Sequence, residues 1–224
     1  MIQTKLNMKV LIFGATGLIG SLLLQTCLQD ARITSVKIFV RKPILTVHPK
    51  LVQITTTYPT LEAVAHEAKG DIVFNCLGTT IKQAGSEEAQ YEIDCKYPVK
   101  VAEIAAANGI KTMVSVSSVG ASASGNFYLR TKIDMEEGVQ RAIGAGAYFV
   151  RPSLLLGDRS ENRFGEKVGK ILFAVLNPLL LGSWSKYRAI AARKVALSML
   201  QIALLCPKQQ IFHYDEMLSL VEKA

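Results

Sequence analysis

Apolar residues recur along the chain in short continuous runs, each closed by a turn residue and followed by a longer mixed stretch. Val10-Leu11-Ile12-Phe13 is the first run. It leads through Gly14-Ala15-Thr16-Gly17-Leu18-Ile19-Gly20 into Leu22-Leu23-Leu24, a pattern that predicts strand, glycine turn and helix. Val36 to Val40 predicts a second strand, Leu51 to Ile54 a third, and Asp71 to Leu77 a fourth that ends at Gly78. Pro98 to Asn108 predicts a helix, with proline in its first turn and Gly109 near its end. Lys111 to Val116 predicts a fifth strand, Thr131 to Ile143 a helix, and Tyr148 to Val150 a sixth strand. Strands alternating with helices predict an α/β chain built on a doubly wound parallel sheet. The alternation ends near Val150, so residues 151–224 are expected to form a small C-terminal substrate region within one domain spanning residues 1–224.

In such sheets ligands lie at the carboxyl ends of the strands, where the turns at Gly14 and Gly78 both fall. A dinucleotide pyrophosphate suits the first turn. Glycines let the backbone approach closely, and a new helix directs its free N–H groups at the anion. The spacing is G-x-x-G-x-x-G, not the standard G-x-G-x-x-G. The end of the second strand then selects between cofactors. A site for NAD(H) usually places an acidic residue there for the ribose 2′-hydroxyl. Here the strand ends Val40-Arg41-Lys42, with Arg41 standing 21 residues after Gly20. A guanidinium at that place pairs with a 2′-phosphate, so NADP(H) is expected as the preferred cofactor and NAD(H) as the alternative.

A second constellation carries chemistry. Ser117-Ser118-Val119-Gly120 follows the fifth strand, and Tyr128-x-x-x-Lys132 comes ten residues after Ser118. Residues four apart share one face of a helix, so the phenol and the ammonium point into one cleft. A neighbouring ammonium favours the phenolate, and a serine hydroxyl can orient a carbonyl while the tyrosine transfers a proton.

With these pieces in order, the chain resembles a short-chain dehydrogenase/reductase of the atypical, NAD(P)-binding branch. Within it, the chain is most similar to the family of the HIV Tat-interacting oxidoreductase-like protein and its bacterial relatives. The resemblance rests on Gly14 to Gly20, Asn75 to Thr80 with Ala84-Gly85, Ile93-Asp94, Val116 to Ser118, Asn126 to Lys132, and Arg151 to Arg159. It implies a Rossmann fold, NADP(H) binding and a Ser-Tyr-Lys active site. By position it implies that Gly14, Thr16, Gly17, Leu18 and Ile19 line the pyrophosphate, and that Arg41 and Lys42 meet the 2′-phosphate. Cys76, Leu77 and Gly78 would pass beside the adenine ribose. Tyr128 would serve as acid/base and Lys132 as anchor of the nicotinamide ribose, with Ser118 chosen over Ser117 because it directly precedes the Val-Gly turn. Arg151, Pro152 and Ser153 would pass the nicotinamide carboxamide. Two departures stand out. Thr55-Thr56-Thr57 replaces the usual acidic residue facing the adenine amine. Asp94 stands where many relatives have asparagine, and would bind Lys132 through water while holding it charged more strongly.

Composition changes this picture little. The 224 residues are half hydrophobic, long enough for a sizeable core and too apolar for disorder. The net charge is +8, yet the basic residues form no block, so a solvated basic surface is the plain reading and no nucleic-acid partner is expected. Cys27, Cys76, Cys95 and Cys206 are scattered, which predicts reduced thiols and a cytoplasmic protein. Met1 to Lys9 has no apolar core, so no signal peptide is expected. Ile171 to Leu181 is broken by Asn177-Pro178 and is too short to span a membrane; it reads as core, with a lid or a homodimer face as alternatives. His48, His66 and His213 share no ligand spacing, so no metal is expected. Glu136-Glu137 reads as a solvated helix face. Arg159, Arg163, Lys167 and Lys170 read as a solvated rim or as anchors for an acidic substrate. Two functions remain: an NADP(H)-dependent oxidoreductase that reduces a small carbonyl compound, and an NADP(H)-binding sensor or scaffold with little turnover.

Overall fold

The computed structural model describes residues 7–157 and 182–222. Seven strands form one parallel sheet in the order β3-β2-β1-β4-β5-β6-β9. These are β1 (Met8–Phe13), β2 (Ile33–Val40), β3 (Leu51–Thr55), β4 (Ile72–Asn75), β5 (Thr112–Val116), β6 (Ala147–Val150) and β9 (Ile211–Phe212). The expected α/β doubly wound sheet is therefore present. Its strands read as continuous apolar runs because both faces are covered. Along β1, Val10 and Ile12 enter the core cluster that holds Leu23, Leu24, Val195 and Met199. Leu11 and Phe13, on the opposite face, join Val101, Ala105, Met135 and Val139. The two-residue alternation of a strand thus feeds two cores. The first lies under α1 (Leu18–Gln29) and α6 (Ala192–Leu205), the second under α4 (Tyr97–Ala107) and α5 (Phe127–Ile143).

The element boundaries differ from the periodicity reading in instructive ways. β4 stops at Asn75, so Cys76 and Leu77 belong to the loop beyond the strand. α5 begins at Phe127, earlier than the predicted Thr131, because Asn126 Oδ1 accepts the Leu129 N–H at 3.0 Å and caps the helix. Tyr128 and Lys132 therefore lie on one helix. Between β4 and α4 the chain adds α2 (Ile81–Ala84) and α3 (Glu87–Tyr91). α3 continues through one π-helical turn, Glu92–Lys96, directly into α4. Pro98 explains that turn. It has no N–H for the carbonyl of Asp94, and its ring would clash there in a regular helix, so the widened turn absorbs the break.

The described part of residues 151–224 also adds to the scaffold. β7 (Leu155–Leu156) pairs with β8 (Ile190–Ala191) in a two-stranded sheet, α6 packs on α1, and β9 extends the main sheet beside β6. α7 (Tyr214–Glu222) packs on α6. Among the described residues no helix is long and apolar enough to cross a membrane. The apolar run Ile171 to Leu181 and the cluster Arg159, Arg163, Lys167 and Lys170 lie outside the described residues.

Candidate active site

The carboxyl ends of the central strands open onto one cleft of about 970 Å³. The glycine turn forms one wall. Gly14 has φ +80°, and a Cβ built there would lie 2.5 Å from the Cys76 carbonyl oxygen. A Cβ on Gly20 would lie 2.0 Å from the Gly14 carbonyl oxygen. Both positions demand glycine, since the turn, the new helix and the β4 loop meet backbone to backbone. Gly14 itself sits behind the wall, while Thr16, Gly17, Leu18 and Ile19 line the cleft. Gly17 is the N-cap of α1 with no side-chain cap, and the first turn holds no acidic residue. Unpaired N–H groups at a helix start favour an anion.

Arg41, at the end of β2, also lines the cleft, whereas Lys42 is exposed and lies outside its wall. The threonines that replace the expected acidic residue do not line the cleft. Thr57 and Thr60 cap each other's backbone at the start of the 3-10 stretch Tyr58–Glu67, and Thr56 Oγ1 lies 3.3 Å from Thr60 Oγ1. Cys76, Leu77 and Gly78 form the facing wall. Burial pushes the Cys76 thiol up to about 12, so it stays neutral.

Ser118, Tyr128 and Lys132 share the same cleft, with Pro152 and Ser153 at its far side. Tyr128 is 36% exposed and Lys132 only 3%. The Lys132 ammonium lies 5.6 Å from the Tyr128 ring centroid. The contact with Asp94 is direct, not water-mediated as expected. Asp94 Oδ2 is 2.9 Å from Lys132 Nζ, a charge contact off the hydrogen-bond axis. Asp94 Oδ1 accepts the Thr79 N–H at 2.7 Å. Both charges are buried, so they meet each other instead of solvent. Burial by itself would lower the lysine pKa; the Asp94 carboxylate beside the ammonium outweighs it and raises the value.

Ser117 is spoken for. It is buried and its hydroxyl donates to Glu136 Oε1. Ser118 is less buried, and its hydroxyl makes only a 3.3 Å contact with the Val119 carbonyl. Glu136 is not on a solvated face, which corrects the sequence reading: its side chain is 5% exposed and ion-paired with Arg151. Arg151 Nε donates to Glu136 Oε1 at 2.8 Å, so the guanidinium turns to α5 and is not part of the cleft wall. Glu137 alone keeps the exposed position. Glu136 follows Lys132 by four residues on α5, so the inward face that carries the lysine also carries the glutamate.

Thr79, Thr80 and Lys82, in the loop expected on the substrate side, line the cleft, and so does Gln90, which the sequence reading did not single out. The available signal was local: Thr80 accepts the Gln83 N–H as the cap of α2, and Gly85 closes that helix at φ +96°. No group of three His, Cys, Asp or Glu residues suited to a metal occurs among the described residues. The cleft's donors fit a dinucleotide. An uncapped helix start and Arg41 face it, and among the described residues its one carboxylate, Asp94, is already matched by Lys132.

Comparison with known proteins agrees with this architecture. The sequence profile of the NAD dependent epimerase/dehydratase family matches residues 10–192. The chain is 32% identical over 199 residues to Protein HTATIP2 of Rattus norvegicus, covering 87% of this chain and 80% of that one. It is 29% identical over 191 residues to Protein FMP52, mitochondrial, of Candida albicans, covering 80% and 77%. MoeE5 in complex with UDP-glucose and NAD superposes with a TM-score of 0.67 at 15% identity, over 96% of this chain and 82% of that one. The Bordetella bronchiseptica enzyme WbmH in complex with NAD+ gives 0.68 at 16% identity, over 92% and 75%. These two structures share the fold. With residues 10–192 matched from β1 through β8 to the start of α6, the chain belongs to the NAD dependent epimerase/dehydratase family.

Proposed function

We propose that the cleft binds NADP(H) and that the protein reduces a small carbonyl compound to an alcohol. The observation that carries this reading is the buried Lys132 ammonium beside Tyr128 and Ser118, in the same cleft as the uncapped start of α1. Thr16, Gly17, Leu18 and Ile19 would hold the pyrophosphate over Gly14, with Cys76, Leu77 and Gly78 against the adenine ribose. Arg41 would pair with the 2′-phosphate. No acidic residue occurs between Asp30 and Glu62 to favour a free 2′-hydroxyl, and Lys42 would add charge from outside the wall. Pro152 and Ser153 would border the nicotinamide.

The bound dinucleotide would supply a hydride to the carbonyl carbon. Ser118 would donate a hydrogen bond to the carbonyl oxygen, and the Tyr128 hydroxyl would give that oxygen its proton. The fixed charge on Lys132 stabilises the negative charge left on Tyr128 and would also hold the nicotinamide ribose. Pro152, Ser153 and Leu155 come from the segment proposed to complete the substrate side of this single domain. The free thiols of Cys27, Cys76, Cys95 and Cys206 suit a reducing compartment, and we assign the protein to the cytoplasm; cell fractionation tests this.

Fluorescence titration with NADPH and NADH tests the cofactor assignment, and an aldehyde and ketone panel followed by NADPH loss tests the activity. NADPH should bind at least about tenfold tighter, or ~1.4 kcal/mol. Equal affinities would overturn the NADP(H) preference. Tight NADPH binding with no turnover on any carbonyl compound would favour a sensor instead.

A further inference from the structure

We propose that the crossover from β2 to β3, residues 41–50, docks the protein on an anionic phospholipid surface. Docking of this kind requires neither the cofactor nor turnover. Two aliphatic side chains on the crossover stand in solvent: Leu45 is 101% exposed and Val47 95%, as open as in an unfolded chain. Single exposed apolar residues are ordinary; two, fully exposed and two residues apart, present one protruding apolar tip. The tip is held in place. Ile44 packs on the core that lies under α1. Gln53 of β3 binds the segment three times. Its Oε1 accepts the Ile44 N–H at 2.9 Å, and its Nε2 donates to the Ile44 and Thr46 carbonyls at 3.1 and 3.4 Å. The Lys50 N–H donates to His48 Nδ1 at 3.1 Å. Pro43 and Pro49 restrict the backbone on either side. Pinning Ile44 inward keeps Leu45 and Val47 outward.

The charge around the tip selects the partner. Arg41 and Lys42 precede it, and Lys50, whose ammonium donates to the Asp30 carbonyl at 2.7 Å, follows. The Asp30 carboxylate is bound by Arg32, and no other acidic residue occurs before Glu62. Cations beside an apolar tip match anionic headgroups above a hydrocarbon layer. Leu45 and Val47 would enter below the headgroups while the cations stay among the phosphates. Shape agrees with this partner. Side chains exposed to this degree line no groove, and a lipid surface receives a convex tip without a matching pocket. A second copy of this chain is a poorer occupant, since two side chains bury far less than the roughly 1,200 Å² of a stable protein interface. Two aliphatic side chains and a few cations give weak, reversible and salt-sensitive attachment, not a permanent anchor.

The test is co-sedimentation of the full chain with two kinds of vesicle, at low and at physiological salt. One kind holds equal parts of phosphatidylcholine and phosphatidylserine, the other phosphatidylcholine alone. The wild type should bind the mixed vesicles at low salt, bind phosphatidylcholine about tenfold more weakly or worse, and lose affinity as salt rises. Leu45→Ser with Val47→Ser should weaken binding to the mixed vesicles about tenfold or more, because the apolar tip is gone and every cation remains. The thermal melt of this variant should match the wild type, since both side chains stand in solvent. Should it fail to fold, Leu45→Ser alone takes its place, with an expected loss of about threefold or more. No binding of the wild type to the mixed vesicles overturns the proposal. Unchanged binding by the folded variant overturns it too, and would give the lipid contact to basic residues elsewhere. Equal binding to both kinds of vesicle overturns the choice of an anionic surface. A lipid-free wild-type dimer that the double variant abolishes, read by sedimentation equilibrium, would overturn it by assigning the tip to a second copy.

Discussion

Removing the Glu136 carboxylate should cost more stability than any surface charge of this protein. Glu136 and Arg151 form a buried ion pair, with side chains 5% and 14% exposed, and Ser117 donates to the same carboxylate. Glu136→Ala would leave a guanidinium and a hydroxyl without their acceptor in the interior between α5 and β6. Breaking a buried pair from one side costs about 3–5 kcal/mol, because the remaining charge is uncompensated. For a chain of this size each kcal/mol shifts the melting temperature by roughly 2–4 °C, so the midpoint should fall by roughly 6–20 °C. Replacing all three groups by apolar residues, Glu136→Leu with Arg151→Met and Ser117→Ala, should bring stability back to within about 1 kcal/mol of wild type. Urea unfolding followed by circular dichroism, with the slope compared among variants, measures both effects. A single-variant loss under about 1 kcal/mol, the scale of an exposed pair, would refute the reasoning and return Glu136 to a solvated face.

Tyr128→Phe should leave NADPH affinity nearly intact and lower carbonyl reduction by roughly a hundredfold or more, the scale of a lost proton donor; full turnover in this variant would assign the proton to another group. Arg41→Asp should abolish the NADPH-over-NADH preference, a change of about 1.4 kcal/mol or more read by titration with both cofactors. An undiminished preference would place the 2′-phosphate away from the end of β2.

Much of this molecule was legible along the chain. The apolar runs at Val10–Phe13 and Tyr148–Val150 each became a strand buried on both faces, which needs nothing but apolar side chains, while Val36–Val40 and Leu51–Ile54, with Lys37 and Gln53 among them, became β2 and the half-exposed edge strand β3. The glycine turn was legible because Gly14 and Gly20 answer a local demand for bare backbone. Tyr128 and Lys132 were legible as a pair because four residues of helix is a local distance. The early start of α5 was available too, in Asn126, since a cap acts only a few residues away.

What the sequence left open depends on contacts between distant segments. Asp94 and Lys132 are joined only after a π turn forced by Pro98 aims one helix at another. Glu136 looked like one of two solvated acids until β6 brought Arg151 beside α5. The order of the strands, and the place of β9 beside β6 at the edge of the sheet, follow from how whole elements cover each other's apolar faces. Periodicity and turn chemistry act over a few residues and can be read in order. A buried charge is stabilised by whatever partner the packing delivers, and that partner has no fixed place in the sequence.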